Sequence, residues 1–349
     1  MVNMKNNLFL QAIRRLPVEK TPIWLMRQAG RYLPEYQRTR QAAGGFMALC
    51  KTPAFAAEVT LQPLRRYDLD AGIIFSDILT IPDAMGLALD VLEGKGPYFA
   101  NPLKTLSDIE RLSLPDSASL SYVYEAISLV QQDLAGNVPL IGFAGSPFTI
   151  AAYMLEGESR PHFPRIFNLM AEAPAVLHHL LGLLAQAVSN HLSEQIIVGV
   201  NAVMIFDTWG GLLTDVTYPV FSLHYLTQCV TYLKEKHPSI PVILFTKGGN
   251  RWLEPMSLTG CDMIGLDWEV SLTEARRRVG DRVALQGNLN PSYLMTNETA
   301  LRQAAHRVLS EFGSGSGHVF NLGHGICKET PPEHVAILID AVHHGSQMK

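Results

Sequence analysis

Eight short apolar runs recur along the chain, each ending in polar or glycine residues and followed by a longer stretch of helical periodicity. They are Ile23–Met26, Ala71–Phe75, Pro139–Phe143, Ala202–Phe206, Val242–Phe245, Met263–Leu266, Val283–Leu285 and His318–Leu322. Each is rich in branched or aromatic residues and apolar on both faces, as expected of a strand covered on both sides by helices. The helical patterns are Ala54–Tyr67, Tyr122–Leu134, Phe163–Ile197, Tyr218–Glu235, Leu272–Val279, Leu301–Phe312 and Pro332–Val342. Strand–helix alternation implies parallel pairing through right-handed crossovers. Eight candidate strands in one undivided chain favour an α/β fold closed into a (β/α)8 barrel, with residues 1–349 as one domain. An open doubly wound sheet is the alternative, but no GxGxxG follows the first strand.

No boundary divides the 349 residues. Gly94–Pro97 (GKGP) reads as a surface loop and Ser314–Gly317 as a flexible turn. Hydrophobic residues make up 47%, which supports a sizeable core and excludes disorder. The formal net charge of −4 lacks the basic excess of a nucleic-acid binder. Cys50, Cys229, Cys261 and Cys327 lie far apart without a CxxC pair, against a disulfide framework and a closed structural zinc site. The N-terminal stretch has no signal-peptide pattern. Ala175–Val188, the most apolar stretch, is interrupted by His178 and His179 and is too short to span a bilayer. The expectation is a cytoplasmic protein without a membrane or nucleic-acid partner.

A barrel enzyme carries its chemistry on the loops after the strands. Those positions hold Arg27 and Gln28, Ser76 and Asp77, Ser146, Asp207 and Thr208, Lys247, Asp267 and Trp268, Gln286 and Asn288, and His324. Loops are polar in any protein, so no single position is decisive. The mixture of glycine with reactive groups in GFAGSP, FDTWGG, FTKGG and NLGHG nevertheless suggests backbone kept close to a ligand. The first loop is the most informative, because Arg27, Arg31, Arg38 and Arg40 fall in one short segment of an acidic protein. Concentrated guanidinium there points to a small polyanion, since its fork matches carboxylates bidentately. Arg38, with Glu35 nearby as a partner, fits a solvated helix face better than Arg27 does.

Asp77 ends a very apolar run, so its carboxylate must be paired, hydrogen-bonded or awaiting a ligand. Backbone donors or Arg27 would satisfy it structurally; functionally it would accept N–H donors or face developing positive charge. His324, between glycines, is a candidate acid, base or donor facing an open cleft. Tyr153 is either a donor into the same mouth or a core helix tyrosine. Lys247 reads as a salt-bridge residue in preference to a Schiff-base lysine.

At these residues the chain resembles the uroporphyrinogen decarboxylase family. PIWLMRQAGRYLPEY (Pro22–Tyr36) and GFAGSPFTIAAYMLEG (Gly142–Gly157) look like its two signatures. Leu61–Gly86, FDTWGG, FTKGG, LQGNLNP and NLGHG fall in family order over essentially the whole chain. The resemblance implies a TIM barrel, a homodimer with facing clefts, and neither metal nor organic cofactor. The implied substrate is uroporphyrinogen, a cyclic tetrapyrrole whose four acetates become methyl groups. The implied substrate contacts are Arg27, Gln28, Ala29, Gly30, Arg31, Asp77, Tyr153, Thr208 and His324, with Arg40 beside them. Thr208 stands where some members carry serine, and the hydroxyl is retained. The expected catalytic groups are Asp77 toward the pyrrole N–H groups, Arg27 at the departing carboxylate or as proton donor, and His324 assisting.

Two rivals are testable. Corrinoid or coenzyme methyltransferases share the barrel but carry zinc ligands, typically His-x-Cys, where this chain has Phe245-Thr246-Lys247-Gly248. A non-catalytic tetrapyrrole carrier should have lost Asp77 or Arg27, and this chain keeps both.

Overall fold

A computed structural model describes residues 4–92, 96–160, 162–280 and 282–347. Its strands are β1 (Gly72–Ile73), β2 (Leu89–Leu92), β3 (Gly96–Phe99), β4 (Leu140–Gly145), β5 (Ala202–Asp207), β6 (Val242–Thr246), β7 (Met263–Gly265), β8 (Ala284–Gln286) and β9 (His318–Val319). Seven form one parallel sheet in the order β1-β4-β5-β6-β7-β8-β9, and β2 pairs antiparallel with β3. The central strands are in continuous register: Ile141 to Gly145 face Ala202 to Phe206, and Val203 to Asp207 face Val242 to Thr246.

Pleating divides the strand side chains between two cores. Met204, Ile243, Met263 and Val319 point to one side, packing with Trp24, Met26 and with Phe9 and Ile13 of helix Leu8–Ile13. Val203, Leu244, Ile264 and Leu285 point to the other, against the surrounding helices. Burial on both faces explains why these strands carry almost no polar residue before their C-terminal ends. The sheet is curled around the smaller core.

The first apolar run departs from expectation. Ile23–Met26 forms no ladder strand; Ile23 makes an isolated parallel bridge to Phe320. Side-chain oxygens take the amides that a neighbouring strand would otherwise accept. Asp70 Oδ2 accepts from Ile23 N at 2.8 Å, Gln28 Oε1 from Leu25 N at 3.1 Å, and Asn321 Oδ1 from Met26 N at 3.0 Å. The run still lies between the two ends of the sheet. Phe320 N donates to Pro22 O at 2.8 Å on one side, and Asp70 N to Ile23 O at 2.9 Å on the other.

The helix expected over Phe163–Ile197 is two helices, Pro164–Glu172 and Pro174–Ile197, bent by 119°. Pro174 begins the second, and its ring disfavours the α conformation at Ala173 (φ −144°, ψ 63°). Helix Pro34–Ala43 follows the turn after Ile23–Met26 and helix Pro147–Glu156 follows β4; the Ser146 side chain caps the latter by accepting from Thr149 N. Of the expected GKGP loop, Gly96 and Pro97 belong to β3, while Gly94 and Lys95 lie outside the described residues. Ser314–Gly317 is a turn, held by Arg276, whose Nη1 donates to the carbonyls of Phe312 and Ser314 at 2.6 and 2.7 Å. No single helix among the described residues is long and apolar enough to cross a membrane.

Candidate active site

The turn after the first apolar run sets the arginines. Gln28 is buried, its Nε2 donates to Ala71 O at 3.2 Å, and its carbonyl accepts from the Tyr32 hydroxyl at 2.9 Å. With Gln28 N bonded to Leu25 O, these contacts over-determine the turn and hold Arg27 at φ 62°, a left-handed conformation that a non-glycine residue rarely adopts. The turn thereby points an exposed Arg27 outward while its neighbour is locked in. Gly30 is needed close by, since a Cβ there would stand 2.9 Å from Arg27 O. Ala29 and Gly30 are half-buried beside it. Gln28's side chain is committed to this scaffold, leaving Arg27 as the group free to meet a ligand.

Among the described residues no carboxylate pairs with Arg27, Arg31, Arg38 or Arg40. The expected Glu35–Arg38 pair is absent: Glu35 binds Arg66 at 3.1 Å, because helix Pro34–Ala43 packs along helix Pro53–Arg66. Arg31 and Arg40 both act electrostatically on the Tyr36 hydroxyl, which burial raises to about 12 against their opposing pull. Cations left unpaired among the described residues of an acidic chain are a standing attraction for a polyanion.

Asp77 lies in the loop after β1. Its Oδ1 accepts from Leu79 N at 2.8 Å, and Oδ2 has no partner among the described residues. Burial pushes this carboxyl above the usual carboxylate range, opposed by the Leu79 N–H and by the charge of Arg27. Arg27 is therefore an electrostatic neighbour of Asp77 without forming an ion pair with it. Near Asp77, the Ser76 and Tyr122 hydroxyls are buried without hydrogen-bond partners among the described residues.

His324 is held at about 4, mainly by burial and further by the positive charges of Arg27 and Lys247, with Asp267 opposing. It is a neutral imidazole near neutral pH. Lys247 pairs with no carboxylate among the described residues, contrary to its expected salt bridge. The carboxylate beside it, Asp267, is occupied by Gly248 N at 2.7 Å, the Asn250 amide and Glu269 N. Asp267 is a clamp for the loop after β6.

Tyr153, on helix Pro147–Glu156, is 8% exposed and packs edge-on against Phe163 and Trp209. Burial raises its phenol, the Trp209 indole and Ser159 hydroxyl oppose, and the charges of Asp77 and Arg27 also reach it. Asp77, His324 and Tyr153 thus all feel Arg27, which unites four expected residues around one mouth. Thr208 follows β5, half-buried, with no side-chain hydrogen bond among the described residues. Its neighbour Asp207 faces inward and accepts from Ser146, Ser222 and Thr149 hydroxyls at 2.6, 2.7 and 3.0 Å. Trp209 was not among the expected site residues; its indole Nε1 is buried without an acceptor in hydrogen-bonding geometry among the described residues. Its place in FDTWGG, directly after Thr208, was the available signal.

The uroporphyrinogen decarboxylase (URO-D) family profile matches residues 4–345. The uroporphyrinogen decarboxylase of Legionella pneumophila (strain Corby) is 57% identical over 344 residues, covering 98% of each chain. This chain belongs to the uroporphyrinogen decarboxylase family. Other uroporphyrinogen decarboxylases agree: that of Thioalkalivibrio sulfidiphilus is 56% identical, covering 98% of this chain and 99% of the relative. That of Cupriavidus necator is 53% identical, covering 99% and 98%. Among solved structures, a methyltransferase from Methanosarcina mazei superposes with a TM-score of 0.83 at 19% identity, covering 98% of each chain, a likeness of fold alone. In this member of the uroporphyrinogen decarboxylase family, no group of three His, Cys, Asp or Glu among the described residues could hold a metal ion. Cys261 is buried and Cys327 exposed.

Proposed function

We propose that the chain removes carboxyl groups from the four acetate side chains of uroporphyrinogen III, giving coproporphyrinogen III and four CO2 in tetrapyrrole biosynthesis. The observation that carries this is Asp77: a half-buried carboxylate with one oxygen unpartnered among the described residues, beside the exposed cation Arg27. Full-length identity of 53–57% to three uroporphyrinogen decarboxylases supports the same reading.

The chemistry needs an electron sink, and a pyrrole protonated at carbon supplies one without a cofactor. Breaking the bond between the acetate methylene and its carboxylate releases CO2 and leaves the electron pair in the ring. A proton taken up at the methylene completes the methyl group, and loss of the ring proton restores the pyrrole. Asp77 accepts the pyrrole N–H groups and stabilises the cationic ring. A unit charge at about 4 Å and an effective dielectric of about 20 contributes ~4 kcal/mol, a rate factor of several hundred. Arg27 pairs with the departing carboxylate, and Arg31 and Arg40 hold others. Tyr153, Thr208 and neutral His324 offer hydrogen bonds, while Gln28, Ala29 and Gly30 present the turn to the substrate.

The same reading has Pro22–Trp24 close the sheet into a single-domain (β/α)8 barrel. Its hydrogen bonds to Phe320 and Asp70 on either side support that closure. It also has the chain act as a cytoplasmic homodimer: Leu212, Val216 and Val220, after β5, are apolar surface that a second copy would cover.

The test is anaerobic incubation of purified protein, without added cofactor, with enzymatically generated uroporphyrinogen III. Oxidised products are then separated by carboxylate number. Seven-, six-, five- and four-carboxylate species are expected. Tight binding without product would favour a carrier, and neither binding nor product would reopen the methyltransferase alternative.

A further inference from the structure

The end of the sheet opposite the proposed mouth carries a second concave site. A cavity of about 280 Å³ opens there, at the N-terminal ends of β8 and β9. Arg14, Arg15 and Arg276 line it, over a floor that includes Val283, Leu285 and the ring of Phe312. No carboxylate among the described residues pairs with any of the three. The contrast within helix Leu272–Val279 is informative, since Arg277 and Arg278 beside Arg276 are paired with Glu274 and Glu254 at 2.8 and 2.5 Å. Among the described residues, the acidic partners go to Arg277 and Arg278 and none pairs on this concave face.

Two of the three guanidinium stems are also held in place. Arg276 sits 4.7 Å over the Phe312 ring, and its Nη1 is fixed by two carbonyls. Arg15 has a left-handed backbone (φ 57°), and its carbonyl accepts from the Ser316 hydroxyl at 2.7 Å. Its stem lies against Gly317, where a Cβ would come within 3.1 Å of Arg15 Cγ. Ordering guanidiniums in advance lowers the entropy cost of binding. Three like charges around one cavity repel until an anion bridges them.

We propose that this cavity is a binding site for a small multivalent oxyanion, bearing phosphate or several carboxylates, separate from the substrate mouth. Forked guanidiniums supply bidentate, charge-assisted bonds to either group. The apolar floor suits a compact ligand whose charges lie on one side.

Calorimetric titration of the full chain at low ionic strength, with inorganic pyrophosphate and separately with citrate, tests this. One saturable site is expected for at least one probe, and the tighter probe distinguishes a phosphate ligand from a polycarboxylate. Arg14→Gln, at an exposed position, should weaken it about tenfold or more, the worth of one charged hydrogen bond. Arg31→Gln, at the mouth, should leave this binding unchanged, and decarboxylation by Arg14→Gln should match wild type. Arg276→Lys, which keeps charge but loses the fork, should also weaken it. Absence of saturable binding for both anions would overturn the proposal. So would binding that survives Arg14→Gln and Arg276→Lys but is lost in Arg31→Gln.

Discussion

The side chain of Arg27 lies directly against the Cα of Gly325. A Cβ built at residue 325 would meet Arg27 Cδ, and would stand 2.7 Å from its Cγ and 2.8 Å from its Nε. Gly325 has no positive φ, so alanine fits its backbone, and the collision falls on the stem of an exposed side chain that can swing away. Gly325→Ala should therefore displace the guanidinium without unfolding the protein. Displacements of about 1 Å in a positioning group cost on the order of 10²-fold in rate. We expect kcat for uroporphyrinogen III to fall by about that factor, with a melting temperature within a few degrees of wild type. A wild-type kcat would remove Arg27 from the mechanism.

Asp77→Asn tests the electrostatic role directly, because it keeps shape and removes charge. The rate should fall several hundredfold, following the ~4 kcal/mol argued for one charge in this mouth. Stability should hold or rise, since an amide escapes the desolvation that pushes the Asp77 carboxyl upward. The same upward push has a pH signature. As pH falls, Asp77 takes up its proton earlier than an ordinary aspartate, so wild-type kcat should decline from a higher pH. The variant's residual rate should lack that limb. A pH–rate profile of the two proteins decides it.

Much of this was readable from residues. Runs such as Val242–Phe245 and Met263–Leu266 are apolar on both faces because both are covered, and they became strands. Ile23–Met26 has the same composition but no ladder, because Asp70, Gln28 and Asn321 capture its amides with side chains. Those contacts span up to 295 residues of sequence, and no local pattern announces them. The bend at Pro174 is locally encoded by the proline; the antiparallel β2–β3 pairing is not, since its strands hold only four residues each. Arg27, Asp77, Tyr153 and His324 were legible as polar ends of apolar runs or within a signature. Glu35 choosing Arg66 over Arg38 depends on how two helices pack, and the Arg14–Arg15–Arg276 cavity joins residues more than 260 positions apart.

His324 should be neutral throughout the working range. Its pKa is near 4 because of burial first and the Arg27 and Lys247 charges second. NMR titration of its ring should give a midpoint well below the ordinary 6.5. In Arg27→Gln the midpoint should rise, since removing a positive neighbour favours the imidazolium, but stop short of 6.5 because burial remains. An unshifted wild-type titration near 6.5 would reinstate His324 as an acid at neutral pH and contradict the donor role assigned here.

His191 should contribute to acid sensitivity from a place unrelated to catalysis. It is 3% exposed on helix Pro174–Ile197, with Nδ1 3.0 Å from the Tyr124 hydroxyl, and burial lowers its pKa from 6.5 to about 4. Above pH 6.5 the ring is neutral in both folded and unfolded chains, and the shift costs nothing. Below 6.5 the unfolded chain takes up a proton that the folded one refuses, so stability drains away until pH reaches about 4. The gap between those two values corresponds to roughly 3 kcal/mol, a substantial part of a typical folding free energy. His191→Gln keeps a polar partner for Tyr124 but cannot titrate, and should lose less stability between pH 7 and about pH 4.5 by most of that amount. Urea unfolding of both proteins at the two pH values measures the difference, in which every other titrating group cancels. Equal slopes would mean that water or a local opening already admits the proton to His191 in the folded chain.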